Sequence, residues 1–178
     1  MRQKEAATPR KHRLPVEGYL LPLRLADRDL VLWWGPDEEG TDIVAVEDGR
    51  PLVWDTVESC LADVLSRGLP WGDTEADEEP QVMDLRPVAA WLRGDSLALD
   101  PESALNLWNL ADDIATSVNA SWDVRGTISD NCHTKLTAAA VPFLFGLDQY
   151  SPRWTPRQLR YLRTRLLAAS AMLRKWLT

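Results

Sequence analysis

Catalysis needs residues of the right type within reach of one another, and this chain offers few such groupings. Cys132 and His133 are the one place where a thiol and an imidazole meet in sequence. Adjacent residues on a helix project about 100° apart, so the two cannot serve each other as nucleophile and base. The other histidine, His12, lies in a polar N-terminal stretch. A buried cysteine beside a surface histidine is the arrangement to expect. Asp112 and Asp113, with Asp123 and Asp130 further on, have the oxygen chemistry that divalent cations prefer. Neighbouring helical carboxylates diverge, however, and no flanking loop supplies carbonyl ligands. Paired carboxylates for glycosidic acid–base work need a cleft to hold them, and the sequence points to none. There is no glycine-rich phosphate loop, no CxxC pair and no HExxH. No catalytic residue, metal or cofactor is expected, and the chain reads as a binding protein rather than an enzyme.

The charge pattern says what such a protein would bind. The net charge of −7 conceals three regions: +4 over residues 1–25, −18 over 26–123 and +7 over 124–178. So acidic a centre repels nucleic acid and steers a basic partner toward itself, raising on-rate more than affinity. The alternative for the run Asp73, Glu75, Asp77, Glu78, Glu79 is a solvated loop that keeps the protein soluble. The arginine-rich final segment could attract nucleic acid, but the acidic middle opposes this and aromatic interleaving is sparse. Nine tryptophans are a second feature. Most belong to a core, and two or three are available as interface anchors, where Trp is enriched.

These residues need a scaffold. At 178 residues the chain fits one domain that buries a real core without staples. No run of 18 apolar residues is present, so no membrane span is expected. Residues Met1 to Arg13 are basic with no apolar stretch behind them, and two cysteines fit a reduced cytoplasm, so a cytoplasmic location is expected. Residues 1–13 read as a disordered basic tail. Residues 14–68 read as four antiparallel strands and a covering helix. The strands are Val16–Leu25, Leu30–Trp34, the run holding Ile43, Val44 and Val46, and Pro51–Trp54, with Asp48-Gly49 as a hairpin turn. The helix is capped at Asp55 or Thr56 and closed by Gly68. Residues 69–80 form an acidic loop or linker. Residues 81–178 are helical, packing on the first module as one domain: a short helix capped by Asp84 and a central one opened by Asp100-Pro101. A third is capped by Ser129 or Asp130, and the last opens at Thr155-Pro156 with an arginine outer face. The fold class is α+β: a small antiparallel meander covered by a helix, followed by a helical C-terminal half.

Two stretches carry a likeness. The run Leu105-Asn106-Leu107-Trp108-Asn109-Leu110-Ala111-Asp112-Asp113 resembles the Leu-x-x-Trp-Asn-Leu-x-x-Asp helix of bacterial immunity proteins, the antidotes of contact-dependent growth inhibition and related polymorphic toxin systems. Tyr150-Ser151-Pro152-Arg153-Trp154 is similar to the Tyr-x-Pro-x-Trp lead into the last helix of that group. The resemblance gives Leu105, Trp108, Asn109, Asp112, Asp113, Tyr150 and Trp154 a structural role. It implies a partner, a cognate toxin that is basic and often a nuclease, whose active site is occluded by an acidic, aromatic-containing surface. Trp71 beside the acidic run, and Trp33 or Trp34, are the anchors this implies, with Asp73, Asp77, Glu78 and Glu79 as the charged rim. The chain departs from the pattern between Lys135 and Gln149, where Ala138-Ala139-Ala140-Val141-Pro142 replaces a more polar segment. A different class of answer is an adaptor subunit of a larger assembly. A third is a thiol enzyme at Cys132, which would require activity lost on Cys132→Ala.

Overall fold

A computed structural model describes residues 12–72, 80–122 and 126–178. Its centre is an antiparallel hairpin of β2 (Tyr19–Arg24) and β3 (Asp29–Pro36), in which Leu21 faces Leu32 and Leu23 faces Leu30. Alternate strand residues point to opposite faces. Leu23, Leu30 and Leu32 therefore join the helical half in one core, while Val31 and Trp33 point the other way onto Cys60 and Val64. Both faces of β3 are covered, which is why Leu30 to Trp33 are all buried. The sheet is a layer between one helix and a bundle, and the α+β class holds.

Around this hairpin the strands depart from a simple meander. The expected third strand divides into β4 (Asp42–Val44) and β5 (Val46–Glu47), and the fourth into β6 (Arg50–Pro51) and β7 (Val53–Trp54). β4 and β7 both pair with β3, at different ends, while β5 and β6 swing out as a separate hairpin. The pivot is Ala45, whose N–H donates to the Trp33 carbonyl (2.7 Å) and whose carbonyl accepts from Leu52 (2.8 Å). Asp48 and Gly49 make the turn with φ of 47° and 76°, both left-handed, as a tight hairpin requires. The swung-out hairpin takes on β1 (His12–Arg13), so the disordered tail expected over residues 1–13 is corrected at His12 and Arg13, which are paired with β5. Arg13 is held firmly: its guanidinium donates to the Thr116 carbonyl (2.6 Å) and to Asp37 (2.5 Å). Residues 1–11 lie outside the described residues.

The helix expected over the sheet is α1 (Val57–Arg67), capped by Thr56, which accepts from the Ser59 N–H, and closed by Gly68. The acidic loop or linker expected over residues 69–80 does not hold for its first residues, which are bonded to the sheet, and residues 73–79 lie outside the described residues. Gly18 donates to the Pro70 carbonyl (3.1 Å) and accepts from the Gly72 N–H (2.9 Å), and a Cβ at Gly18 would fall 1.9 Å from the Trp33 ring. On the far side of that segment a two-residue strand, β8 (Met83–Asp84), adds to β2 in parallel.

The helices follow their capping signals with two corrections. α2 (Arg86–Arg93) has Leu85 as its N-cap, with Asp84 one residue further out accepting from the Arg86 N–H (3.0 Å). α3 (Pro101–Ser117) is opened by Asp100, whose carboxylate accepts from Ser103 (2.8 Å). α4 (Thr127–Ala140) starts from Gly126 rather than from Ser129 or Asp130. The earlier start lets Ile128 pack on the core and turns Ser129 inward, where it is 2% exposed. A short 3₁₀ turn, Pro142–Phe145, follows. α5 (Pro156–Trp176) opens on a reciprocal cap between Thr155 and Gln158. Among the described residues no helix is long and apolar enough to cross a membrane.

α3 is joined to the sheet through Ser117. Its hydroxyl accepts from the buried Val44 N–H (2.9 Å) and donates to the Asp113 carbonyl (2.5 Å). Ser117→Ala removes the acceptor and leaves a buried N–H unpaired, so urea unfolding should show a loss of about 1–3 kcal/mol.

Candidate functional site

Where α3 meets the sheet edge it leaves an open groove. Two hollows, of about 640 Å³ and 240 Å³, share Leu21, Trp34, Met83 and Asn106 and form one channel. The reason lies in the two sides of α3. Leu105, Trp108, Ala111, Ala115 and the other apolar positions turn into the core. Glu102, Asn106, Asn109 and Asp113, spaced by four, three and four, make a polar stripe on another side. That stripe forms one wall, and β2, β3 and β8 form the other.

The groove is acidic. Asp84, Asp100 and Glu102 line the larger hollow, and Asp42, Asp112 and Asp113 the smaller. Among the described residues, no lysine or arginine lines either one. Asp84 is already paired with Arg86 (2.6 Å), which holds its carboxyl below the ordinary value. Asp113 is different. Burial pushes its pKa up to about 7; a hydrogen bond from Trp34 Nε1 (2.9 Å) works against this, and the neighbouring charges of Asp42 and Asp112 push it further up. Asp112 is also raised by burial, with Arg165 and His133 pulling it back. The result is a carboxyl whose charged form is poorly solvated in the free protein. A Lys or Arg side chain placed against it would restore the ionised form.

Past the groove the polar side of α3 reaches His133 on α4. His133 Nε2 lies 3.0 Å from Asn109 Oδ1, and its ring stands edge-on to Trp108, centroids 5.4 Å apart. Burial lowers its pKa, with Asp112 and Asp130 opposing. Cys132 beside it is fully buried, and burial raises its thiol pKa. An activated nucleophile needs the opposite shift. Cys60, also fully buried, is pushed up to about 12.

The structure separates the residues that the sequence grouped together. Trp33 is 0% exposed and packs edge-on against Trp71 at 4.8 Å, so it belongs to the core and is no surface anchor. Trp34, one residue on, points into the groove. Trp71 is 39% exposed and sits at Trp33, away from the groove lining. Asp73, Asp77, Glu78 and Glu79 lie outside the described residues. The described flanks of that stretch border the groove: Gly72 packs against Tyr19, and Tyr19, Gln81 and Val82 line it. Leu105 and Trp108 are core, with the Arg165 guanidinium lying between Trp122 (3.7 Å) and Trp108 (5.3 Å). Asn109, Asp112 and Asp113 are the part of that run facing outward. Tyr150 and Trp154 are half-buried before α5, with Lys135 Nζ 5.5 Å from the Trp154 ring. Sequence reasoning missed Asp42, Asp84, Asp100, Glu102 and Asn106. The 4-3-4 spacing from Glu102 to Asp113 was the signal that could have found part of the set.

Compared with protein-family models, with curated proteins and with solved structures, the chain matches none.

The raised pKa of Asp113 has a consequence for stability. The folded protein holds a proton that the unfolded chain releases near pH 4, so the cost of Asp113 is absent at low pH, grows as pH rises and is complete above about 7. Asn keeps an oxygen for the Trp34 N–H without the charge. Asp113→Asn should match the wild type near pH 4 and exceed it by about 1–3 kcal/mol near pH 8, read by urea unfolding. An equal difference at both pH values would contradict the shift.

Proposed function

We propose that this protein is a stoichiometric inhibitor that binds a basic protein partner in the acidic groove. The observation that carries the reading is the lining itself: six carboxylates, no lysine or arginine among the described residues, and a desolvated Asp113 in the wall of the smaller hollow. A cation arriving from a partner would answer the uncompensated charge at Asp113, while Asp84 already has Arg86 and Asp100 caps α3. The reading is that of a cytoplasmic immunity protein of the contact-dependent inhibition kind, whose target is a basic toxin, a nuclease by preference, and whose action is occlusion without catalysis or cofactor. The likeness in Leu105 to Asp113 and in Tyr150 to Trp154 supports it. Within that run the buried residues build the fold and the outward ones, Asn109, Asp112 and Asp113, supply the wall of the groove.

The partner's positive charge fixes how binding responds to salt and to mutation. Groove carboxylates act mainly on the rate of encounter, and salt screens them over roughly 8–10 Å. Co-expression with the product of the adjacent upstream gene should give a one-to-one complex whose association slows as salt rises. Neutralising the groove with Glu102→Gln, Asp112→Asn and Asp113→Asn together should slow association by about tenfold at low salt. A salt-independent complex unaffected by the triple variant would overturn the groove as the contact. Association only within an assembly of many subunits would replace inhibition with an adaptor role.

A further inference from the structure

The chain holds two phenylalanines, and both are on the surface. Phe143 is 72% exposed and Phe145 45%, with Leu144 and Leu147 exposed between and beside them. Four large apolar side chains within five residues, all turned outward, are not what packing alone produces in a protein that keeps most of its tryptophan surface covered. Such contiguous patches mark binding sites.

The segment is held in shape. The Leu144 N–H donates to the Val141 carbonyl (3.2 Å), Gly146 to Phe143 (3.1 Å) and Leu147 to Pro142 (3.1 Å). Gly146 takes the left-handed conformation that closes the turn, at φ 66°. The side chains are thus presented by a fixed backbone, which reduces the ordering cost of binding.

Its position gives it a partner. The last residues before the turn, Ala140 and Val141, line the larger hollow of the acidic groove together with Asp100 and Glu102 of the α3 end. Val82, exposed on the β8 side, lines the same hollow. The apolar turn therefore follows directly in the chain on two residues of the groove wall. We propose that Phe143, Leu144 and Phe145 are the apolar anchor for a cationic, amphipathic segment of the partner protein. Its lysines or arginines lie in the groove, and its apolar side chains cover the turn. This rests on the acidic-groove reading and adds what that reading lacks, a desolvated centre that supplies affinity where the carboxylates supply rate.

The test uses the full chain and two synthetic 14-residue peptides of equal positive charge, one of lysine and leucine, the other with each leucine replaced by serine. Fluorescence anisotropy should show the lysine–leucine peptide binding at least tenfold more tightly. Phe143→Ser with Phe145→Ser should abolish that advantage and leave the lysine–serine peptide unaffected. The same variant should keep its circular dichroism and unfolding midpoint, because the side chains it shortens are exposed. Equal binding of the two peptides, or a double variant that still prefers leucine, would overturn the anchor while leaving the groove in place. Binding of neither peptide would overturn the groove and, with it, this inference. Sedimentation showing a dimer that the double variant dissolves would assign the turn to a second copy instead, and flotation of the wild type with phosphatidylcholine vesicles would assign it to lipid.

Discussion

α3 can lie against the sheet because the polar groups it brings there find partners on the strands. Ser117 takes the Val44 N–H at one level, and Asp113 takes the Trp34 indole N–H one turn earlier. Between them these two bonds set the angle at which the helix leaves the sheet. With Ser117 pinned, the apolar side of α3 turns into the bundle against α4 and α5, and the polar stripe from Glu102 to Asp113 is left along the opening. Had the contact been apolar throughout, α3 could settle flat and the groove would close. The cavity and the fold share one cause.

The same contact explains the electrostatics. A carboxylate that accepts from a tryptophan at the edge of the core is partly removed from water, and the hydrogen bond returns only part of the solvation it loses. Asp42 and Asp112 add repulsion, and no described cation lies in the groove lining. A buried ion pair within the fold would be less strained and would also fill the place that a partner's cation needs. Unrelieved charge of this kind costs stability in the free protein, and under the proposed reading a partner's cation would return it.

Much of the fold was legible because helix ends have local signatures. Thr56, Asp100 and Thr155 accept from the N–H three residues on, and Gly68 and Gly94 end their helices left-handed, all within short windows of sequence. What escaped was set by partners distant in sequence. β8 is two residues long and exists only because β2 has an open edge beside it. The breaks at Ala45 and Leu52 come from competition between the Trp33 strand and the outlying hairpin. The choice between Trp33 and Trp34 needed knowledge of what covers each face of β3, since a strand shows both residues alike. The groove was half visible: Asn106, Asn109, Asp112 and Asp113 stand within the run read as a motif, while Glu102, a turn earlier, has no role there. Phe143 to Phe145 lie inside the Lys135–Gln149 stretch, which in sequence stands out only as a departure from the motif pattern, because the exposure of an apolar run depends on the space outside it.

The central proposal is that a cation of the partner is held against Asp113. It is tested most directly by following the Asp113 carboxyl carbon by NMR as pH is varied, in the free protein and with the lysine–leucine peptide bound. The account predicts a midpoint near 7 in the free protein that falls well below it when the groove is filled. A midpoint that stays near 7 with the peptide demonstrably bound would contradict it, and would place the cationic contact somewhere other than the groove beneath Trp34.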